Sequence, residues 1–348
     1  MRRLIGAAAA GFLAAVVLSS PAWAHGADAP DGTNYRTEVS AVVPALPGVT
    51  VAAVEAGARL ELVNTSGAAV EVLGYDGEPY LSVRPDGVYE NVHSPAVYLN
   101  VTLAGTATLP PEADATLPPS WRRTSSSPVA RWHDARTHWL SPDQPPAVAA
   151  APDRTHRVRD WVVPLRVDTS TMEVRGTLDW LPPPSPVPWW AGAAVVALAV
   201  TALGLVRRRS IVVVLAALSA VAGFVALGYA VARELDAGNS SVGEILRGLA
   251  VGQVWPVLVG LGALAAAVFS LTRRPAGDFA LALAGVCVAV FAGVANVAVF
   301  TNSVVPVPWS PLWARLSVVA VIGLGAGVAG AAALRMRATT RASAPAAP

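Results

Sequence analysis

The densest chemistry in the chain lies in Arg131-Trp132-His133-Asp134-Ala135-Arg136-Thr137-His138-Trp139-Leu140, which gathers two of the five histidines and two of the eleven tryptophans. Imidazoles beside a carboxylate are the raw material of a metal centre. His133 and His138 could ligate, while Asp134 could fix an imidazole tautomer from behind or pair with Arg136 instead. The spacing constrains the idea. An offset of five puts His133 and His138 on opposite faces of a strand, and about 140° apart around a helix. Both reach one ion only if the backbone turns between them. His93, in Glu90-Asn91-Val92-His93-Ser94-Pro95, is a further candidate ligand, whereas His156 lies in a charged run and reads as a solvated surface residue.

The fifth histidine depends on processing. Arg2 and Arg3, the apolar run Leu4 to Leu18 and Ala22-Trp23-Ala24 have the order of a secretory signal peptide over residues 1–24, with an A-x-A cleavage site. Cleavage there makes His25 the first residue of the mature chain. Its free α-amine and imidazole, joined by one more imidazole, would form a T-shaped nitrogen site suited to Cu(II). Copper is thus the expected cofactor, with His25, His133, His138 and His93 as candidate ligands and Asp134 and Arg136 behind them. Met172 is the only methionine of the exported half, which argues against a thioether Cu(I) site. A competing reading makes Trp132, Trp139, Trp161 and Trp180 a core or a membrane-facing apron, with the histidines hydrogen-bonded among them.

The elements that must hold these residues follow from composition and period. With 54% hydrophobic and 14% charged residues, the chain is too apolar for an ordinary soluble protein. All 25 basic residues are arginine, which reads as coding bias in a GC-rich bacterium. Residues 25–188 carry 19 acids and 12 arginines; residues 189–348 carry 4 acids and 11 arginines. That basic excess falls at helix ends, as membrane topology requires, and is no argument for nucleic acid.

Residues 25–181 alternate as strands do at 35–43 and 58–63. Asn64-Thr65-Ser66-Gly67, Asp76-Gly77, Asp86-Gly87 and Asp168-Thr169-Ser170-Thr171 mark turns, and further strands are expected at 69–73, 96–103, 157–167 and 172–180. Residues 104–129 show no period and read as a long surface excursion. About eight short strands suggest an exported antiparallel β-sandwich, Ig-like or cupredoxin-like. A proline-rich linker at 182–189 leads to an all-α bundle of five spans, near 190–206, 211–232, 248–271, 279–300 and 312–334, with a cytoplasmic tail at 335–348.

Arginines cluster in the loops that would be cytoplasmic, and Trp189, Trp190, Trp309 and Trp313 gather at the other interface, so the β domain is expected outside a multi-pass cell-membrane protein. The spans hold no histidine, and Gln253, Asn296 and Arg315 are their only interior polar candidates. Asn296 is expected to make an interhelical hydrogen bond and Arg315 to snorkel outward. That poverty weighs against a pump or channel.

An exported sandwich opening on histidine after an Ala-x-Ala signal resembles the CopC-type periplasmic copper-binding proteins. The multi-span region after it is similar in layout to their fusions with CopD-type membrane domains. The likeness covers architecture and His25; the sandwich is longer, there are five spans, and these lack histidine. It implies extracytoplasmic copper binding and not copper transport. Trp132-His133-Asp134-x-Arg136-x-His138-Trp139 also looks like a string in membrane-anchored exported proteins of actinobacteria, a likeness that implies no activity.

Two functions are therefore expected in turn. The first is a membrane-anchored extracytoplasmic Cu(II)-binding protein, chaperone-like or sensor-like. The second is a metal-independent envelope module that contacts a protein partner and is anchored in the lipid bilayer by its helices. An enzyme is not indicated, because no nucleophile–base pair or acid pair stands out.

Overall fold

In the computed structural model the chain is described over residues 31–342 except 207, 273 and 275, so the signal-peptide region and His25 lie outside the described residues. Ten strands form two sheets, and every pairing is antiparallel. They are β1 (Tyr35–Val43), β2 (Val49–Val54), β3 (Arg59–Asn64), β4 (Val70–Leu73), β5 (Pro79–Arg84), β6 (Gly87–Asn91), β7 (Trp121–Ser125), β8 (Val129–Trp132), β9 (His156–Val167) and β10 (Ser170–Trp180). The large sheet runs β1-β10-β9-β4-β5-β6-β7 and the small one β2-β3-β8. Alternation explains why they face each other. Leu60, Leu62, Ala130 and Trp132 of the small sheet meet Val72, Val83, Val163, Leu165, Val174 and Leu178 of the large one in a single core.

Two stretches depart from their sequence patterns. Residues 96–103, expected as a strand, begin with a one-turn helix, α1 (Ala96–Leu99), that follows Pro95. Within 104–129, expected as an excursion without structure, lies β7, which pairs with β6. As an edge strand it carries Arg122, Arg123 and Thr124 to solvent, so it lacks the apolar alternation that betrays a half-buried strand. A second short helix, α2 (Pro146–Ala150), precedes β9.

Among the described residues, four helices are long and apolar enough to cross a membrane: α4 (Ser210–Asp236), α6 (Val254–Leu271), the helix over Gly277–Phe300, and α8 (Pro311–Ala342), of which Pro311–Ala338 qualifies. The first expected span corresponds to α3 (Val187–Leu203), whose 17 residues reach about 25 Å, short of a hydrocarbon core of about 30 Å. It lies along α8, where Gly323 and Gly327 admit Val196 and Val200 closely. The expected span 248–271 is two helices. Ser241 and Glu244 form a capping box that opens α5 (Val242–Val251), and Gln253, at φ −118° and ψ 28°, breaks the helix before α6 starts. The helix at Gly277–Phe300 is α7 (Gly277–Val288) extended by a π turn (Ala289–Gly293) and a 3-10 stretch (Val294–Phe300) that kinks at Asn296.

The β domain sits on one end of this bundle. Thr33 pairs with Val304 through N–H···O bonds of 3.0 and 2.8 Å, and Asn34 donates to the Asn302 side chain at 3.1 Å. The loops after α4 and after the 3-10 stretch therefore face the β domain.

Candidate functional site

The backbone turns between the two histidines, the condition for both to reach one point. β8 ends at Trp132, and a 3-10 turn at Ala135–Thr137 reverses the chain before His138. Asp134 starts that turn by accepting the backbone N–H of Arg136 at 3.1 Å. Both imidazoles then converge on one atom. His133 Nδ1 lies 2.8 Å and His138 Nε2 3.0 Å from the carbonyl oxygen of Ala58. A carbonyl oxygen has two lone pairs, so it can accept both N–H groups. His133 Nε2 in turn accepts from Arg59 Nε at 3.2 Å, which assigns the proton to Nδ1. Burial pushes the His138 pKa down to about 4, against the favourable bond to Ala58, so its ring is neutral at pH 7. The pair is together, but each shared nitrogen is a donor, and a nitrogen bearing that proton has no lone pair for a metal.

Asp134 takes the second of its two expected roles, the pairing with Arg136. Its carboxylate is fully buried and receives Arg136 Nε at 2.8 Å and Nη2 at 2.7 Å, a bidentate pair, together with Trp132 Nε1 at 3.1 Å. Arg136 also donates to Leu73 O at 3.1 Å and lies over the Tyr75 ring, so it clips the histidine turn to the end of β4. The imidazoles are oriented by Ala58, not by this carboxylate.

Ala58 belongs to a joint with a strained backbone. Glu55, Ala56 and Gly57, between β2 and β3, have φ of 54°, 54° and 88°. The left-handed region is costly for Glu and Ala, so the surroundings must hold them there. On one side are the two histidines. On the other is the last turn of α4: Glu55 N–H donates to Asp236 O at 2.9 Å and Ala56 N–H to the Asp236 carboxylate at 2.8 Å. The first of these satisfies a helix C-terminal carbonyl. Burial raises the Glu55 pKa, opposed by the guanidinium groups of Arg59 and Arg131. Arg131 completes the joint, donating to Glu61 at 2.5 Å, to Gly238 O at 2.6 Å and to Asn239 Oδ1 at 3.0 Å. At Gly238, with φ +83°, a Cβ would strike Glu61 and Arg131, so the approach requires glycine.

Next to the joint, at the same end of the bundle, is a buried polar corner that loop assignments missed. Arg233 and Glu234, just past the expected span 211–232, belong to α4 and are buried. Arg233 Nη1 donates to Asp31 and to Asn296 Oδ1, each at 3.0 Å, so Asn296 does make an interhelical bond. Four buried atoms here, Arg233 Nη2, Tyr229 Oη, Gln253 Oε1 and Trp309 Nε1, have no hydrogen-bond partner among the described residues. Arg315 binds Val299 O at 2.9 Å and Asn302 O at 3.0 Å and lies over Trp189, so it caps the end of the 3-10 stretch where outward snorkelling was expected.

His93 Nδ1 lies 2.7 Å from Pro118 O, beyond β6, and His156 Nε2 lies 2.7 Å from Ala151 O at the start of β9. Among the described residues, no group of three His, Cys, Asp or Glu side chains is placed to hold a metal ion. No protein-family model matches the chain, and neither a curated protein nor a solved structure is significantly similar to it.

Proposed function

We propose that this protein is a membrane-anchored extracytoplasmic module whose β domain engages a protein partner. Its signal peptide exports the β domain, α3 joins the four longer helices as a fifth span, and the arginine distribution orients the C-terminus to the cytoplasm. On this reading the domain is an elaborated, Ig-like sandwich, and the histidine string is a latch that fixes the joint to α4. One observation supports a protein-contact role above the others. The edge strand β7 and its neighbours carry a partly exposed cluster in which Arg84 lies over Tyr89 (4.2 Å) and Trp121 (5.3 Å), with Arg123 over the same Tyr89 (5.9 Å). Arg, Tyr and Trp are the residues that dominate interface energetics, and an edge strand offers free backbone donors and acceptors. A photo-crosslinking residue at Tyr89 in intact cells should yield a discrete product that Trp121→Ala abolishes. The same residue at the exposed Val162 of β9 should not. Equal products at both positions, or none, refute the proposal.

The copper reading has one observation in its favour. Two imidazoles already meet at Ala58, and Asp31 is tied to Arg233, one helical turn from the Asp236 that holds Ala56. His25 lies six residues before Asp31, and six extended residues span up to about 20 Å, the limit within which a brace with His133 and His138 would have to form. Binding would require the imidazoles to give up Ala58 or to turn their other nitrogens. Titration of the mature full-length protein with Cu(II), read by electron paramagnetic resonance, tests this. An N-terminal brace binds at least tenfold more weakly once one residue is added before His25; equal binding eliminates it.

A further inference from the structure

The short helix α5 has an apolar stripe that the other described residues cover only in part. Its capping box is well formed: Ser241 Oγ accepts Glu244 N–H at 3.2 Å, and the Glu244 carboxylate accepts Ser241 N–H at 3.0 Å. The helix is therefore locally specified. Yet none of its ten residues is buried. At 100° per residue Val242, Ile245, Leu246 and Leu249 fall in one stripe about 100° wide, with Glu244 and Arg247 on the other side. Val242 and Leu246 are 74% and 60% exposed. A helix packed in a globular protein turns such a stripe inward; here Ile245 and Leu249 are half-buried beside Gly248, against which the Glu234 carboxylate lies too close for any Cβ, while Val242 and Leu246 stay outside.

The chain on either side says what covers the stripe. α5 sits between the end of α4 and the start of α6, two membrane-length helices, at the end of the bundle that carries the β domain. The exposed apolar surface continues from α5 into Val254, Trp255, Leu258 and Leu261 of α6. An apolar stripe at the level of helix ends, continuous with a bilayer-facing surface and backed by charges, has the make-up of a helix lying in the interface. We infer that α5 lies in the plane of the membrane at its outer surface, with Val242, Ile245, Leu246 and Leu249 among the lipid chains and Glu244 and Arg247 toward water. The inference rests on the reading that α4 and α6 cross the bilayer. Because Glu244 and Arg247 cancel in charge, apolar contact drives the docking, and zwitterionic lipid suffices. The helix is also wired to the β domain. Asn239, in the loop before it, donates to Glu234 at 2.8 Å and accepts from Arg131 at 3.0 Å.

Site-directed spin labelling of the full-length chain in phosphatidylcholine nanodiscs tests this, with the chain's one cysteine removed by Cys287→Ala. Leu246→Cys, Arg247→Cys and Leu261→Cys are labelled one at a time, and collision with oxygen is compared with collision with a water-soluble nickel chelate. The expected oxygen-to-nickel ratio is severalfold higher at 246 than at 247, highest at 261, and unchanged when part of the lipid is phosphatidylglycerol. Equal ratios at 246 and 247 overturn the inference, as does a label at 246 shielded from both reagents, which would mean that protein covers the stripe. A difference that appears only with phosphatidylglycerol also overturns it. A water-accessible label at 261 removes the membrane reading and this inference together, whereas a lipid-facing 261 with a water-facing 246 removes the inference alone.

Discussion

The carboxylate of Asp134 and the guanidinium of Arg233 are both withdrawn from solvent, at 0% and 5% exposure, but their surroundings are opposite in kind. Around Asp134 each oxygen is matched: Arg136 takes both, Trp132 joins one, and the backbone N–H of Arg136 joins the other. Around Arg233 one nitrogen is matched twice while Nη2, Tyr229 Oη, Gln253 Oε1 and Trp309 Nε1 have no partner among the described residues. A closed polar network specifies a fold, because every member is costly to remove; an open one contributes little net stability. The residues that look most like a site are therefore the better part of the scaffold. Among the described residues, part of the unspent hydrogen-bonding capacity lies instead where the bundle meets the β domain, and the rest within the β domain at residues such as Asn100 and Trp161.

The contrast can be broken first at its stronger end. Asp134→Ala leaves Arg136 and Trp132 facing a buried gap, and the expected loss is about 3–5 kcal/mol of domain stability, read by thermal or denaturant unfolding. A loss under about 1 kcal/mol would mean that the network is not structural.

Next comes pH. The folded chain holds His138 neutral with a pKa of about 4, while the unfolded chain titrates near 6.5. The unfolded state thus binds the proton first. Stability should be flat above pH 6.5, fall as pH drops from 6.5 to 4 and level off below, by on the order of 3 kcal/mol in all. His138→Phe should remove that slope. Glu55, whose pKa is raised, contributes in the opposite sense, losing stability as pH rises through the carboxylate range.

Arg131→Ala tests the connection between the two regions. Loss of its bonds to Gly238 and Asn239 should cost about 2 kcal/mol of docking, seen as faster amide exchange around residues 236–239 with the β core unchanged. The smallest effect is expected at the open corner. Arg233→Met removes a poorly satisfied buried charge and leaves the half-exposed Asp31 to water, so stability in detergent should stay level or rise by about 1 kcal/mol. A loss as large as that of Asp134→Ala would erase the distinction between the corners.

Much of this was legible in the residues alone. Alternation at 35–43 and 58–63, the Asp76-Gly77 and Asp86-Gly87 turns, and the long apolar runs follow from local rules of period and turn chemistry, which need no partner. The five-residue histidine offset left two alternatives, a turn between the imidazoles or a single ligand, and a turn is found at Ala135–Thr137. Edge strand β7 and the break at Gly252-Gln253 were obscured because neither carries a strong local signal: one is arginine-rich, the other lies inside an apolar run.

What tertiary structure alone decided is which atom the two histidines meet. Their shared acceptor is a backbone carbonyl 75 residues before His133 in sequence, held in place by a left-handed turn that is itself bonded to a helix end some 180 residues later. A carbonyl oxygen carries no side-chain signature, and a hydrogen bond across such separations leaves no period to read. The sequence by itself determined that imidazoles, a carboxylate and arginines would lie within ten residues, and that the second half would be built of apolar helices, expected as five spans where four are of membrane length. Only the fold decided that the imidazoles would spend their protons on Ala58, because which donor meets which acceptor depends on the packing of two sheets against the end of a helix.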